Sequence, residues 1–444
     1  MSDEERRDIE GEREELDEDV PPQVGGGDYA PHPTGHFFAR AGGIVTPLVT
    51  TIFAFGMSMI VIGATGHNPF QAFRGIFNGT GLNWFFPWVL GQDRSDAAFN
   101  LQQTLIATTP LILTGLAVSF AFKCGLFNIG GQGQYIVGAS IGVWVGTSFF
   151  HTVLDSTGQP KLDASGQPIQ VDTLGPVLHI LLAIVLASLA GALWAAIAGF
   201  LKATVGAHEV ITTIMLNWIA IYVTQAVFGR GGQLQNNVDK SIPISGDIAR
   251  AAHLPVFWGD PQLQGLHVGL FIALVMPVLF WLILTRTTLG YEVRAVGFNP
   301  EAARYGGINV RRSYILAMAI AGTFAGLAGV IDILGWQFHI GVLDIQVSNL
   351  GYLGIAVALL GRTSPIGIPL AALLFGALQQ GTSTRNPAIA DVIDPQLAGN
   401  LSTIIMALVL LFVGADLLFV YLWQVPKKLR LLRTKAQARV EESA

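Results

Sequence analysis

Charge is scarce in this 444-residue chain: Asp, Glu, Lys and Arg together make up 12%, against about 25% in a soluble domain. Hydrophobic residues make up 51% and mean hydropathy is +0.53. This balance excludes a soluble enzyme, a nucleic-acid binder and a disordered chain. Cysteine is nearly absent. The single Cys124 allows no intrachain disulfide and no Cys-based zinc site, and its apolar flanks suit a small buried hydrophobe. No G-x-x-x-x-G-K-[ST] run occurs, so the chain has no P-loop and is expected not to hydrolyse ATP itself. His208-Glu209 lacks a second His four residues on, which removes the zincin helix, and no metal site is expected. Gly138-Ala-Ser140-Ile-Gly142 has G-x-S-x-G spacing. It lies inside an apolar helical run with no strand before it, so helix packing outweighs a nucleophile elbow. No catalytic set emerges, and an enzyme is not expected.

The net charge of −5 divides unevenly along the chain. Residues 1–19 hold 11 Asp/Glu against 3 Arg, and such a block has little reason to fold. It has neither the basic head nor the apolar core of a cleaved signal peptide. The Pro- and Gly-rich stretch after it reads as a linker. The expected organisation is an acidic, disordered cytoplasmic tail and linker over 1–40, a transmembrane domain over 41–425 and a basic cytoplasmic tail over 426–444.

Apolar runs recur at 44–64, 102–122, 127–150, 177–201, 209–229, 266–285, 313–336, 350–361, 364–380 and 401–423. A helical crossing needs ~20 apolar residues. The run 350–361 is too short to cross as a helix at about 1.5 Å per residue, so it reads as a broken or re-entrant span. The fold class is therefore an all-α polytopic bundle of about ten spans with broken or re-entrant segments and a cytoplasmic helix between spans. With the N-terminus inside and ten crossings, 18 Lys/Arg fall on the cytoplasmic side and 7 outside. The positive-inside rule then places both termini in the cytoplasm. Glycines are ordered within the runs. Gly138, Gly142 and Gly146 lie four apart, as do Gly322 and Gly326, and Gly191, Ala195 and Gly199. Small residues at this spacing let helix backbones approach closely in lipid.

Two segments resist a bland reading. Gly125–Gln134 places Asn128, Gln132 and Gln134 among glycines at the head of a span. Non-helical backbone at membrane depth survives only when buried in protein or lining a cavity. A matching Gly-rich, polar-headed segment, 348–361, occurs in the second half with Asn349 near its head; paired interrupted segments point to a midplane pathway. Asn217, Trp218 and Asp332 are further intramembrane candidates for that pathway. The second segment is the loop 286–312. Asn299 suits an N-cap, Pro300 the first helical position, Glu301 the positive helix start, and Gly306-Gly307 the stop. A short helix outside the bilayer follows, with Glu301 and Arg304 projecting.

Glu301-Ala302-Ala303 followed by Gly307 resembles the EAA-like coupling loop of ABC-importer permeases. Phe127–Gln134, Glu209–Trp218 and Gly354–Gly361 resemble the branched-chain amino acid, monosaccharide and nucleoside branch of that family. The second of these is most similar to nucleoside (guanosine/purine-type) permeases. Where many relatives carry Glu in Gly-Glu-Gly-Gln, this chain has Gln132. The resemblance covers about 100 to 423. It implies an importer permease in a bacterial or archaeal plasma membrane that takes up nucleosides, or alternatively a monosaccharide or branched-chain amino acid. It implies no cofactor of its own, since ATP is bound by a partner ATPase subunit. That subunit would dock on Glu301, Ala302, Ala303, Arg304 and Gly307. A second permease or a second copy, an extracytoplasmic binding lipoprotein and the lipid bilayer complete the implied partners, with no nucleic acid. A stand-alone secondary transporter is the competing class, and it would leave the 286–312 helix without a purpose.

Overall fold

Large apolar side chains cover much of the outer surface of this protein, among them Leu181, Val185, Leu189 and Leu193, while others such as Phe120, Leu113 and Phe375 fill its centre. The computed structural model describes residues 51–156, 159, 161–162, 169–236, 240–260, 265–383, 400, 403–405, 407–408 and 411. They fall within one compact unit, Pro47–Ala444. The acidic tail, its linker, the basic tail and nearly all of the run 401–423 lie outside the described residues.

In chain order the helices are α1 (Thr51–Ala64), α2 (Pro69–Thr80), α3 (Gly91–Lys123), α4 (Gly131–Gly146), α5 (Pro176–Val205), α6 (Glu209–Phe228), α7 (Gly269–Arg286), α8 (Thr288–Phe298), α9 (Pro300–Tyr305), α10 (Val310–Asp332), α11 (Val342–Val347), α12 (Leu350–Leu360) and α13 (Gly367–Gly381). Among the described residues, 6 helical stretches are long and apolar enough to cross a membrane. They are α3, α5, α6, α7, α10 with the π turn Ile333–Gln337 that continues it, and the interrupted pair α11–α12. α1 and α13 are shorter apolar helices, and α4 has 16 residues.

α3 and α10 form the centre. In α3, 83% of the most apolar window is buried, against 22% in α5. α3 runs for 33 residues, about 50 Å at the usual rise. It starts well before the apolar run because its first turns carry Asp93, Arg94 and Asp96. Arg94 there lies over the Trp84 ring, 5.3 Å from its centroid. α5 turns small residues inward and large ones outward. Ala183, Ala187, Gly191, Ala195 and Gly199 are buried, whereas Leu181, Val185, Leu189 and Leu193 are exposed. Lipid tails are as apolar as leucine, so association is favoured by close backbone approach rather than by hiding leucines from water. The stripe meets α10, where a Cβ on Gly191 would lie 2.8 Å from Gly326 Cα.

The all-α expectation needs one correction. Two short antiparallel ribbons occur, β1 (Phe150–Thr152) with β2 (Gln170–Asp172) and β3 (Val256–Trp258) with β4 (Leu266–His267). Both lie in connections between long helices, where the chain can satisfy its backbone without helix. His179 at the start of α5 ties the first ribbon down: Nδ1 lies 3.0 Å from Asp172 Oδ2 and Nε2 lies 2.9 Å from the Val145 carbonyl.

A strap over 243–254 covers the end of α10 that leads into the π turn. Ser245 N–H donates to Ile340 O, Ile248 N–H to Phe338 O, Leu254 N–H to Leu334 O, and Ala249 N–H to Gly146 O. Three of these bonds take carbonyls freed where α10 and its π turn end, and the fourth takes the last carbonyl of α4. His339 Nδ1 and Asp247 Oδ1, 3.2 Å apart, close the strap. Their hydrogen bond raises the His339 pKa and lowers that of Asp247. His253 also acts on Asp247 and Asp344 on His339, while Arg250 acts on His253. His253, stacked on Phe338 at 4.0 Å, is held below its ordinary value by burial. The raised His339 contributes stability below its unfolded pKa and loses it as pH rises through the folded value. The depressed Asp247 contributes above its unfolded pKa and loses it as pH falls through the folded value. Strap protection should therefore be highest between those two values. In hydrogen exchange, corrected for intrinsic rate, protection of the Ile248 amide should fall on the alkaline side of His339 titration. Asp247→Asn should flatten that dependence, and an unchanged profile in the variant would remove the pair as its cause.

Candidate functional site

Two interrupted segments from opposite halves of the chain meet inside the helix bundle. α3 ends in the turn Cys124-Gly125, with Gly125 at φ +73°. Residues 126–130 are then not helical, and α4 begins only at Gly131. In the second half, Ser348 and Asn349 interrupt the helix between α11 and α12. Gln132 joins the two breaks. Its Nε2 donates to the Ser348 carbonyl at 2.8 Å, and its Oε1 accepts from Gly351 N–H at 2.8 Å. A neutral amide does both jobs; an ionised carboxylate only accepts. Gly351 must lack a side chain here, because a Cβ would lie 2.6 Å from the Gly131 carbonyl carbon.

The other buried amides close the first break. Asn128 and Gln134 exchange two side-chain bonds of 3.1 and 3.0 Å, and Asn128 Oδ1 also accepts from Gly130 N–H at 3.0 Å. Asn217 on α6 accepts from Gly133 N–H at 2.7 Å and donates to the Ile129 carbonyl at 3.0 Å. Its amide nitrogen also lies 3.3 Å from Tyr352 Oη. Thus Asn128, Gln132, Gln134 and Asn217 are buried, and their hydrogen-bonding groups are engaged within the protein. They form a seam that replaces lost helix bonds, which is what low-dielectric surroundings require of broken backbone.

Asp332 closes the far end of α10. It accepts from Tyr135 Oη and from Gln337 Nε2, the latter at 2.7 Å. A cavity of about 10 Å³ lies beside it, lined by Tyr135, Gln337, Asp344 and Ser348 among others; that is roughly room for one water. Asn349 and Trp218 sit differently. Asn349 is exposed at the head of α12. Trp218 is 51% exposed and stacks on Tyr222, with centroids 6.1 Å apart. Neither joins the buried seam. Among the described residues, no group of three His, Cys, Asp or Glu could hold a metal ion.

The 286–312 loop carries two helices, α8 and α9, and α9 is the one its caps predict. Asn299 caps it, accepting from Glu301 N–H at 2.9 Å and Ala302 N–H at 3.0 Å. Gly306 ends it, and Gly307 takes φ +82°. Glu301, Ala302, Arg304 and Gly307 are exposed, while Ala303 packs inward. Phe298 and Tyr305, at either end, are each 93% exposed. Sequence reasoning missed these two, and missed Tyr135, Gln337 and Tyr352. The aromatic pair bracketing Pro300–Arg304 was a readable signal. The other three act through partners distant in sequence, such as Tyr135 and Asp332, 197 positions apart.

Comparison with known proteins places this arrangement. The family model described as "Branched-chain amino acid transport system / permease component" matches residues 100–414. The guanosine ABC transporter permease protein NupP of Bacillus subtilis is 33% identical over 85% of this chain and 94% of its own length. The nucleoside ABC transporter permease protein NupB of Lactococcus lactis is 32% identical over 76% of this chain and 83% of its own. The glucose ABC transporter permease protein TsgB13 of Haloferax volcanii is 30% identical over 83% and 86%. No solved structure matches the chain. Apolar helices around two interlocked breaks, and a family match spanning both breaks and the α9 loop, lead to one conclusion: this chain belongs to the branched-chain amino acid transport system permease family, and is a membrane-embedded ABC-transporter subunit rather than an enzyme.

Proposed function

We propose that this permease imports nucleosides, with energy from a separate ATPase subunit that docks on α9. The similarity to a guanosine permease over most of both chains carries the reading. The chemistry of the breaks supports it. Neutral amides and peptide groups surround them, and the two nearby carboxylates are already engaged, Asp332 by Tyr135 and Gln337 and Asp344 by the Gly341 N–H. A charged substrate would lack an ion partner there; an uncharged, hydroxyl-rich one would not need one. The buried seam does not face the ligand in this reading. It fixes the broken helices, while the exposed Asn349 and the partly exposed Tyr352 carry the polar face of the path.

With α1, α4 and α13 also crossing, nine crossings are reached, and the ten of the N-in, C-in topology require the run 401–423, which lies almost wholly outside the described residues. The chain works beside a second permease, or a second copy of itself, and an extracytoplasmic binding lipoprotein supplies the ligand. Cells expressing the full complex should take up labelled guanosine or adenosine, and unlabelled nucleosides should compete. Competition by leucine or glucose, with none by nucleosides, would reject the substrate assignment and keep the permease one.

α9 is the coupling element in this reading. Glu301→Lys reverses a charge on its exposed side, and setting like charges against each other across a contact disfavours docking. The variant should insert normally yet lose transport and stimulated ATP hydrolysis. Normal transport by Glu301→Lys would show that the ATPase is engaged elsewhere.

A further inference from the structure

We propose that the turn Lys123–Gly125 is a positioning relay, gripped by Gly297 on one side and Thr363 on the other, that passes movement of the ATPase-facing helix to the broken head of α4. The inference rests on the importer reading above.

Three observations meet at this turn. First, α8 and α9 are joined without slack. Asn299 N–H bonds to Ala295 O as α8 ends, and Asn299 O accepts from Ala303 N–H as α9 begins. Only Phe298 and Asn299 lie between Gly297 and Pro300. Second, Gly297 nests directly on the turn. A Cβ there would collide with the Lys123 carbonyl oxygen and lie 3.0 Å from the Cys124 carbonyl carbon. Across the contact, a Cβ on Gly125 would lie 3.4 Å from Gly297 Cα. Backbone touches backbone, so no side chain can flex to absorb a shift. Val293 and Val296 are fully buried and hold the rest of α8 in place. Third, Lys123 Nζ donates to Thr363 Oγ1 at 2.7 Å. Thr363 and Arg362 both have positive φ, 49° and 50°. Non-glycine residues in this region cost about 1–3 kcal/mol each and persist only where surroundings hold them. This turn joins α12 to α13.

The consequence is mechanical. From Gly125 only five residues, 126–130, lead to the first residue of α4, a tether of at most about 22 Å over its six steps. α12, which follows the other break, runs directly into the Thr363 turn. Both interrupted segments, already stitched by Gln132, therefore return to one cytoplasmic node. α8 touches that node through Gly297. A displacement of α9 reaches the first break through packed backbone and the second through the Lys123–Thr363 hydrogen bond, a contiguous chain of contacts of the kind that can carry coupling.

The test uses the assembled complex of permease, ATPase and binding protein in lipid, assayed for ATP hydrolysis with and without loaded binding protein and for guanosine uptake. Thr363→Val removes the hydroxyl while keeping the branched shape; Thr363→Ser keeps the hydroxyl. Gly297→Ala inserts one methyl against the Lys123 carbonyl. Thr363→Val and Gly297→Ala should leave basal hydrolysis unchanged while the stimulated-to-basal ratio and uptake fall about tenfold, within the usual range of site-to-site coupling. Thr363→Ser should behave as wild type. A structural role alone would lower assembly and basal rate together. If Gly297→Ala fails to assemble, the Thr363 pair decides. Wild-type coupling in assembled Thr363→Val complexes would overturn the relay. A wild-type complex with no stimulation would instead overturn the importer reading on which it rests.

Discussion

Gly326→Leu should prevent the protein from building its membrane core. Gly326 sits on α10 where it meets both α4 and α5. A Cβ at Gly326 would stand 2.6 Å from the Ala187 carbonyl oxygen and 3.1 Å from Gly191 Cα. From the other side, a Cβ at Gly138 would stand 2.5 Å from Gly326 Cα and 2.8 Å from its carbonyl carbon. Three backbones thus cross at one point, and each needs its neighbour to lack a side chain. In an ordinary core, extra methylenes cost about 1–3 kcal/mol because side chains move aside. Here the obstacles to a side chain at Gly326 are main-chain atoms of α5, so the helices themselves must separate. Close packing is also what holds helices together in lipid, where no hydrophobic force favours association. The variant is expected to be degraded, or to elute from detergent as aggregate with no cooperative melt. Gly326→Ala should retain a fold of lower Tm. Wild-type yield and Tm for Gly326→Leu would mean the helices do not cross there.

Gln132→Leu is expected to stop transport while sparing ligand capture by the binding protein. The change deletes two bonds that bridge the broken segments and leaves Gly351 N–H and the Ser348 carbonyl without the partners they have now. An unsatisfied buried polar group costs about 1–3 kcal/mol, and leucine approximates the volume without replacing either bond. The two breaks then lose register with each other rather than unfolding, because Asn128, Gln134 and Asn217 still hold the first one. Uptake per molecule at the membrane should fall by about tenfold or more, the factor that 1.4 kcal/mol represents. Gln132→Glu keeps an acceptor for Gly351 but, when ionised, sets a second acceptor against the Ser348 carbonyl. It should be the milder change. The measurement is guanosine uptake normalised to surface protein, alongside equilibrium binding to the isolated lipoprotein. Undiminished uptake by Gln132→Leu would relieve the seam of any part in transport.

Much of this protein follows from local rules visible in one sequence. The scarcity of charge and the spacing of apolar runs determine a helical membrane protein, because each crossing must satisfy its own backbone. Asn299, Pro300, Glu301 and Gly307 determine α9, because caps act through neighbours within one turn. The stripes at Gly138, Gly191 and Gly322 determine which helix faces can approach closely, because helical periodicity places them together. Local rules do not determine which face meets which. That Gly138 opposes Gly326, that Gln132 reaches Ser348 across 216 positions, and that Tyr135 meets Asp332 are decided by the packed bundle alone. The same packing decided the chemistry of the candidate residues. Asn128, Gln132, Gln134 and Asn217 could equally have faced a ligand or one another; the tertiary structure turned them inward as replacements for helix bonds and left Trp218 and Asn349 outside. The physical reason is that a buried polar group needs a partner within about 3 Å, and only three-dimensional contact can say who that partner is.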